Sequence, residues 1–540
     1  MDGSWEFILK SYVEKTIRVF EDEEIKTILW GSCFWLENGS INTNILDIAH
    51  AAINNLLDYN ELFGYYKIVI HSKVSGDYFF WGDNSGTQGF FVDEQNCVFS
   101  NSFLTIKERA ASVQPNYYAI AQLFSAGYIL SNDTVVAGIV STDWRKTYSC
   151  INGNLEIKNK GLVSLSNNKG MDLHTLILGL RKAFLGEIAA VCTGGTDSRT
   201  VLAHLTSLEE KPHLVITGHA DNPDIAPAKA VAKELNLDLE IMDPSSVEDG
   251  WLEKGYVFCD GLFNPIDAYR QKTKCDVVMN HSCASEWGGV GGEYYKNSYC
   301  RYFIWSLWKN GKTVSAIKRN LFPDFEKPQF WESDLIKAEK TTIQRYITEL
   351  IESSKENNLL ASYNAMGFHI MSRKVFRITN GYSSFVTKVD PLFERAVISK
   401  ASRTHPVLHS MAIWQRKEIH KYCPRLSDLK TDQGYSCTVK PIKLFYERIK
   451  ALSFWCSRII ARIRKKIGVS YVDSEPKYWD NDYKKAMKTD LFKQAFAVCK
   501  EIGVVDKETD ENMLPAKKIG DILLVGMVFS KESHAQTLTK

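Results

Sequence analysis

Several features that mark particular classes of protein are missing from this chain. Its 66 Lys and Arg residues are balanced by 64 Asp and Glu, so there is no overall positive field of the kind that marks a dedicated nucleic-acid binder. The 12 cysteines include no CxxC pair, which argues against a zinc site or a disulfide framework. The longest apolar run near the carboxyl end, residues 519–529, is too short to cross a bilayer. The amino terminus has acidic and aromatic residues where a secretory signal would have a basic head and an apolar run. These absences predict a soluble, cytoplasmic protein.

What is present is the composition of an ordinary globular protein, with 540 residues, 44% of them hydrophobic. Up to about residue 170, short apolar runs alternate with turn signals, which predicts strands and hairpins. Strands then alternate with amphipathic helices up to about residue 300, which predicts parallel βαβ units, and the remainder is predicted to be mostly helical. We therefore expect a β-rich sandwich domain over 1–170 and an α/β domain with a parallel sheet and a helical carboxyl-terminal part over 171–540.

The most informative stretch is VCTGGTDSRTVL, residues 191–202, where a buried strand leads through two glycines into a helix. Because glycine has no Cβ, Gly194 and Gly195 allow the backbone to turn sharply and to approach a ligand closely. The N–H groups of the loop and of the first helical turn then lie at the positive end of the helix dipole, where phosphate binds. The hydroxyls of Thr193 and Ser198 would add further donors.

A carboxylate at position 197 adds a ligand for Mg²⁺, which screens phosphate charge. The predicted phosphate-binding residues are Thr193, Gly194, Gly195, Thr196, Asp197 and Ser198. The alternative interpretation is a plain strand-to-helix turn with a capping Ser or Asp. The GxxxxGK[ST] spacing is absent, so the stretch is not a Walker loop.

The GGTDS pattern resembles the [ST]GGxDS loop of the N-type ATP pyrophosphatases, and its continuation SRTVLAHL resembles the asparagine synthetase family. The resemblance implies an enzyme that uses ATP and Mg²⁺. Such an enzyme transfers AMP to a carboxylate, releases pyrophosphate, and forms an amide when a nitrogen nucleophile attacks the acyl-adenylate. The stretch HLVITGHA, residues 213–220, is similar to the second strand of that family, which implies that Ile216 and Gly218 lie near the adenine.

Residues 277–295, VVMNHSCASEWGGVGGEYY, resemble the strand and the glycine-rich acidic segment of the family, SGxGxDExFGGY. Two registers are open. In one, Glu293 takes the place of the metal-binding carboxylate, which requires a longer loop after the strand. In the other, Ser285 replaces that aspartate and Glu286 follows it. The first register keeps an acid where Mg²⁺ and pyrophosphate need one, so Glu293 is predicted to be catalytic and to bind the metal together with Asp197.

Two further segments match in order. VDPLFERAVISKA, residues 389–401, resembles RxPFLDxxLVEFA, with Asp390 and Glu394 near the expected acids. LSDLKTDQGYS, residues 426–436, resembles LPxxIxxRxKxGF, and this register places Lys430 at the family's Arg and Asp432 at its Lys. In the family a Lys in this region stabilises developing charge, so Lys430 is the candidate electrostatic catalyst; an exposed loop lysine is the alternative.

The amino-terminal region resembles the glutaminase domain of the same family through LFGYYKIVI, residues 62–70, and FFWGDNSGTQGFF, residues 79–91. Glutamine-dependent members carry a nucleophilic Cys directly after the initiator Met, and this chain has Asp2 there. Cys33 lies inside an apolar run and is expected to be a buried structural residue. The resemblance implies a scaffold without glutaminase activity, as in β-lactam synthetase and lasso-peptide cyclases.

The expected activity is that of an AMP-forming carbon–nitrogen ligase similar to the enzymes of asparagine biosynthesis. The sequence leaves the carboxylate and the amine open, since aspartate with ammonia, a sugar acid and a peptide side chain are all compatible. It implies no nucleic-acid partner and is compatible with a homodimer. Two alternatives remain: a catalytically degenerate ATP-binding scaffold, and another N-type ATP pyrophosphatase that adenylates a nucleobase.

Overall fold

The computed structural model describes most of the chain. The described residues are 5–10, 13, 16–218, 222–243, 247–296, 318, 321–322, 329–354, 356, 359–403, 412–431, 434–446, 449 and 478–530. Asp2 and Asp432, which the sequence analysis singled out, lie outside them.

The strands and helices follow the apolar patterns of the sequence. The strands are β1 (Glu6–Ile8), β2 (Ile17–Glu21), β3 (Ile25–Glu37), β4 (Ser40–Asn42), β5 (Leu62–Ser72), β6 (Tyr78–Gly82), β7 (Phe91–Asp93), β8 (Val98–Ser100), β9 (Ile139–Ser141), β10 (Lys146–Ile151), β11 (Asn154–Asn159), β12 (Ile188–Val191), β13 (His213–Thr217), β14 (Leu239–Met242), β15 (Ser285–Trp287) and β16 (Thr387–Val389). The helices are α1 (Ile45–Ile53), α2 (Phe103–Arg109), α3 (Tyr117–Ala126), α4 (Leu173–Ala183), α5 (Thr196–Ser207), α6 (Ile225–Leu235), α7 (Trp251–Phe258), α8 (Pro265–Asn280), α9 (Asp334–Ser353), α10 (Leu359–Tyr382), α11 (Arg395–Arg403), α12 (Ile413–Tyr422), α13 (Pro424–Ser427), α14 (Tyr478–Met487), α15 (Asp490–Glu501) and α16 (Ala516–Phe529).

The amino-terminal part is β-rich, as predicted. A largely antiparallel sheet has the order β11-β10-β6-β5-β3-β2, with β4 paired to β3, and a smaller sheet has the order β1-β8-β7-β9. The longest pairing joins β3 to β5, from Ile25 opposite Ser72 to Trp35 opposite Leu62. β3 is rich in β-branched and aromatic residues, which favour a half-buried pleated surface, and much of it is buried.

A parallel sheet of order β14-β13-β12-β15-β16 forms the middle of the fold. Every neighbouring pair in it runs parallel. The helices α5 and α6 connect β12 to β13 and β13 to β14, as the alternating strand and helix pattern predicts. The chain is therefore a mixed α/β protein that combines a parallel sheet with an antiparallel β-rich region.

The amino-terminal strands and the later helices share their hydrophobic cores. Phe34 and Tyr65 of the antiparallel sheet are buried in the same cluster as Leu176 of α4 and Leu202 of α5. A second cluster joins α3 to residues of α9 and α16. Packing is close, since a Cβ placed on Gly179 would come within 2.4 Å of the ring of Phe34. The β-rich region thus packs directly against the elements that carry the parallel sheet.

The described residues contain no membrane-spanning helix and no disulfide. None of their helices combines the length and the apolar character that a bilayer-spanning helix needs. The cysteines among them are free thiols, and all except Cys97 are buried.

Candidate functional site

The strand order of the parallel sheet reverses at β12, which is where open parallel sheets form a ligand-binding crevice. From β12 the chain moves outward to β13 and β14 on one side, and it later returns to place β15 and β16 on the other side. In open parallel sheets, ligands bind at the carboxyl ends of the strands where the order reverses in this way. Here the two loops at that point are 192–195, after β12, and 288–291, after β15. Both contain the glycines that the sequence analysis selected.

The first loop joins β12 to α5 by a tight turn. Gly194 has φ of +67°, a conformation that favours glycine, and a Cβ there would lie 2.4 Å from Cβ of Pro227 in α6. Gly195 is the N-cap of α5, and no side chain of the described residues caps that helix. The hydroxyl oxygens of Thr193 and Ser198 lie 3.1 Å apart. The uncapped N-terminus of a 12-residue helix is therefore flanked by two hydroxyl groups and is suited to bind an anion.

The second loop lies directly on the first turn of α5. A Cβ on Gly292 would lie 2.0 Å from Cγ of Asp197, and a Cβ on Gly289 would lie 2.8 Å from the backbone nitrogen of Ser198. Contacts this short exclude any larger side chain at Gly292 unless the loop or the carboxylate of Asp197 shifts. The absence of a Cβ at these glycines therefore allows the second loop to pack closely against the first turn of α5.

Three acids come together where the loops meet. Burial and the nearby carboxylates of Asp197 and Asp390 raise the pKa of Glu293. Burial also raises the pKa of Asp390, whose Oδ1 accepts a hydrogen bond of 3.1 Å from the backbone N–H of Val290 in the second loop. Asp197 and Glu293 are the predicted metal ligands, and the structure brings them into electrostatic contact.

The carboxylate of Asp197 has two side-chain partners. The ammonium nitrogen of Lys296 lies 2.7 Å from it, and Nε2 of Gln415 donates to its Oδ1 at 2.6 Å. Gln415 is fully buried, and its Oε1 has no hydrogen-bond partner among the described residues. An oxygen that can accept a hydrogen bond or coordinate a cation is thus present beside Asp197.

Arg199, in the first turn of α5, is buried and binds backbone carbonyl groups. One terminal nitrogen donates to the carbonyl oxygens of Gly194, at 2.7 Å, and Lys430, at 3.0 Å. The other donates to those of Leu426, at 3.2 Å, and Leu429, at 2.7 Å. Arg199 therefore fastens the segment that carries Lys430 to the first glycine-rich loop.

Lys430 itself pairs with Ser436 across a short bridge, and its side chain is exposed. Ile216 lies near the end of β13, beside the strand that leads into the first loop, and it is buried. Gly218 follows β13, and its N–H donates to the carbonyl oxygen of Met242 at 2.9 Å. All three residues thus lie on segments at the carboxyl edge of the sheet or fastened to it.

The β-rich region also reaches this site. The hydroxyl of Tyr65 in β5 donates to the backbone carbonyl of Asp390 at 2.5 Å. Asp390 in turn holds the second glycine-rich loop through Val290. The amino-terminal region thereby contacts a residue that positions the loop over α5.

One structural expectation is corrected. Residues 277–280 form the last turn of α8, whereas the strand that precedes the glycines is Ser285–Trp287. Because this strand ends directly before Gly288, the register with Glu293 needs no lengthened loop. In the other register, Glu286 is buried within the strand, where it pairs with Lys274 at 2.7 Å and accepts a hydrogen bond from Tyr382. The negative charge of Glu286 is thus neutralised by Lys274 in the interior of the fold.

Sequence reasoning missed Arg199, Lys296 and Gln415. Arg199 lay inside the matched motif, yet three of its four carbonyl partners are more than two hundred residues further along the chain. Lys296 follows the matched acid Glu293 by three positions, which is the one local signal that could have identified it. Gln415 lies in a segment with no recognisable pattern.

The residues present fit a magnesium ion with a bound phosphate. Two carboxylates, from Asp197 and Glu293, match the usual protein contribution to Mg²⁺ sites, in which phosphate and water supply the other ligands. No group of three or more His, Cys, Asp or Glu side chains in the described part of the chain is arranged to hold a metal by itself. No model of a known protein family matches the chain, and no curated protein compared with it is significantly similar.

Proposed function

We propose that the chain is an ATP-dependent, AMP-forming carbon–nitrogen ligase similar to asparagine synthetase. In the proposed reaction, a carboxylate oxygen attacks the α-phosphorus of ATP, and the bond to the β-phosphate breaks, so that pyrophosphate leaves with the electron pair. An amine or ammonia then attacks the acyl carbon, AMP leaves, and the nitrogen loses a proton. The product is an amide.

The observation that carries this proposal is the meeting of two glycine-rich loops at the switch point of the parallel sheet. The first loop presents the uncapped N-terminus of α5, where backbone N–H groups and the helix dipole favour phosphate. The second loop brings Glu293 to Asp197, both of which are acids suited to Mg²⁺. Backbone N–H groups suited to phosphate and carboxylates suited to Mg²⁺ therefore lie side by side, which supports cleavage of a nucleotide phosphate at this position.

Each residue then has a role. Thr193 to Ser198 would bind the β- and γ-phosphates, and Asp197 and Glu293 would hold Mg²⁺. When bound, the metal would screen the negative charge of the phosphates. Ile216 and Gly218 would face the adenine, since they follow the neighbouring strand at the same sheet edge. Lys430 would bring positive charge to the phosphates on a segment that Arg199 fastens to the loop.

The proposal includes no glutaminase activity. Position 2 holds Asp rather than the nucleophilic Cys of glutamine-dependent members. Cys33 cannot replace it, because burial raises the pKa of its thiol to about 12 and the side chain is fully enclosed in β3. The nitrogen would therefore come from free ammonia or from an amine substrate.

The test is to incubate the full chain with ATP, Mg²⁺ and a panel of carboxylates and amines, and to measure AMP and pyrophosphate. We expect both products with at least one carboxylate, and their loss in Asp197→Asn. Asp334→Asn is the matched control, since Asp334 also lies in the first turn of a helix and pairs with a lysine, Lys337, at 3.2 Å. Binding of ATP without AMP across the panel would favour a catalytically degenerate scaffold. AMP formation only with a nucleobase acceptor would favour another N-type ATP pyrophosphatase.

A further inference from the structure

Lys296 lies against the first turn of α5. It follows the short helical turn Gly292–Tyr295, and its ammonium nitrogen lies 2.7 Å from the carboxylate of Asp197. Both side chains remain partly exposed, at 25% and 21%, so the pair borders the crevice rather than the interior. A partly exposed ion pair of this kind contributes little to stability, because solvent screens it.

The backbone that carries Lys296 is held rigidly. The ring of Tyr295 stacks on Trp414 at a centroid distance of 4.4 Å, and its hydroxyl donates to the carbonyl of Leu392 at 3.2 Å. The residue after Trp414 is Gln415, which donates to Oδ1 of the same Asp197 carboxylate at 2.6 Å. The turn and the start of α12 therefore clamp Asp197 between a lysine and a glutamine.

The other cations near the loops are occupied differently. The guanidinium of Arg199 is buried and donates to four backbone carbonyl groups. Arg416 is also buried and donates to the carbonyl groups of Ser436 and Thr438. The side chain of Lys430 is exposed. Among these four, Lys296 is the cation that already contacts the crevice at the helix N-terminus.

The charges at the crevice require such a cation. Asp197 lies against Gly292, the residue before Glu293, and Asp390 accepts a hydrogen bond from Val290 on the same segment, so three acids surround one short stretch of chain. A triphosphate that enters this acidic environment needs positive charge beyond that of one Mg²⁺ ion. A lysine ammonium at the end of a long, flexible side chain can change its partner from a carboxylate to a phosphate without a backbone movement.

We propose that Lys296 binds the pyrophosphate portion of ATP, and that it leaves Asp197 for the phosphate when Mg²⁺ takes that carboxylate. This inference rests on the proposed function and deepens it by assigning a phosphate-binding residue. Lys296 thus holds Asp197 in place before the nucleotide enters, and it neutralises the leaving group afterwards.

The test measures binding of magnesium pyrophosphate and of MgATP to the full chain by calorimetry. We expect Lys296→Met to weaken pyrophosphate binding by about tenfold or more, because one charge-assisted contact is lost. The affinity of Lys296→Arg should stay within about threefold of the wild type, because its positive charge is kept. The matched control is Lys272→Met, which removes a partly buried lysine paired with Asp276 at 2.6 Å on α8 and should bind as the wild type does.

A second measurement, with pyrophosphate alone in the presence of a chelator, tests the change of partner. Lys296→Met should weaken pyrophosphate binding more in an Asp197→Asn background than in the wild type. In that background the carboxylate of Asp197 no longer competes with pyrophosphate for the ammonium of Lys296. Equal effects in both backgrounds would overturn the exchange. If Lys296→Met binds magnesium pyrophosphate and MgATP as tightly as the wild type does, the inference about Lys296 is overturned and the proposed function stands. Absence of any pyrophosphate or MgATP binding by the wild type would instead overturn the proposed function, and the inference with it.

Discussion

A terminal guanidinium nitrogen of Arg199 donates to the carbonyl oxygen of Lys430 at 3.0 Å and, at 2.7 Å, to that of Gly194 in the first glycine-rich loop. Two segments more than two hundred residues apart in sequence are thereby joined through one buried side chain. The contact explains how the segment that carries Lys430 is positioned beside the first glycine-rich loop although the side chain of Lys430 is exposed.

Arg199→Lys should destabilise the protein and weaken MgATP binding. A lysine has a single nitrogen at its end and cannot reproduce the planar fork that joins four carbonyl groups. Carbonyl groups left unpaired in the interior should lower the free energy of unfolding by about 2 kcal/mol or more. Denaturant unfolding and calorimetric titration with MgATP would measure the two effects.

The matched control for Arg199 is Arg377→Lys. Arg377 is also buried and donates to the carbonyl groups of Leu262 and Gly127, away from the glycine-rich loops. The Arg377→Lys variant should destabilise the protein about as much as Arg199→Lys does, and it should leave the MgATP affinity of the folded protein unchanged. If both variants bound MgATP as the wild type does, Arg199 would be a stabilising residue without a role in the site.

Gly292→Ala should disrupt the contact between the two loops. The added Cβ would lie 2.0 Å from Cγ and 2.1 Å from Oδ1 of Asp197, so either the loop or the carboxylate must move. We expect a stability loss of about 1–3 kcal/mol, as for other overpacked sites, together with weaker Mg²⁺-dependent nucleotide binding.

Gly367→Ala in α10 provides the control for this substitution. Its Cβ would make an ordinary contact of 3.6 Å with the ring of Tyr294, and alanine stabilises a helix interior by about 0.5–1 kcal/mol relative to glycine. Nucleotide binding should be retained in this variant. Unaltered nucleotide binding in Gly292→Ala would show that the close approach of the loops does not matter for the site.

The buried acid Glu394 should make stability depend on pH. Burial, and then the carboxylate of Asp83, raise the pKa of Glu394 from an ordinary value of 4.5 to about 8. The folded state therefore binds the proton more tightly than the unfolded state. Stability from this group is fully present below the unfolded pKa and is lost as the pH rises through the folded one. Relative to Glu394→Gln, the wild type should lose about 1.4 kcal/mol per pH unit between pH 5 and pH 8.

Denaturant unfolding of wild type and Glu394→Gln across this pH range would measure the difference, in which titrating groups that do not interact with Glu394 cancel. Glu21→Gln is the control. The ammonium of Lys73, 2.7 Å from Glu21, lowers the pKa of this exposed carboxyl. Glu21 is therefore charged in both states above about pH 5, and the stability difference between Glu21→Gln and the wild type should stay constant up to pH 8. A constant difference for Glu394→Gln as well would contradict the raised pKa.

The local elements of the site could be predicted because their signals are local. The stretch 188–207 combines a buried apolar run, two glycines and a helical pattern, and the strand, turn and helix are present as predicted. The strand before the second loop could not be found in the same way. β15 has only three residues, whereas the apolar run Val277–Met279 looks like a strand but completes a helix that begins at Asn264 and Pro265.

The long-range contacts of the site have no sequence signature of their own. The partners of Asp197 are Lys296 and Gln415, and those of Arg199 are carbonyl groups, which any residue type provides. The same holds for the hydrogen bond from Tyr65 to Asp390, which joins the β-rich region to the second loop. Such contacts follow from the packing of the whole fold, so they became visible only in the structure.

The most direct test of the central claim is carboxylate-dependent exchange of labelled pyrophosphate into ATP, which detects reversible adenylate formation without requiring the amine. We predict exchange that needs Mg²⁺ and one carboxylate of the panel, is lost in Asp197→Asn, and persists in Asp334→Asn. Formation of ADP and phosphate in place of AMP and pyrophosphate, or exchange that survives in Asp197→Asn, would contradict the assignment of the crevice beside β12 as an adenylating site.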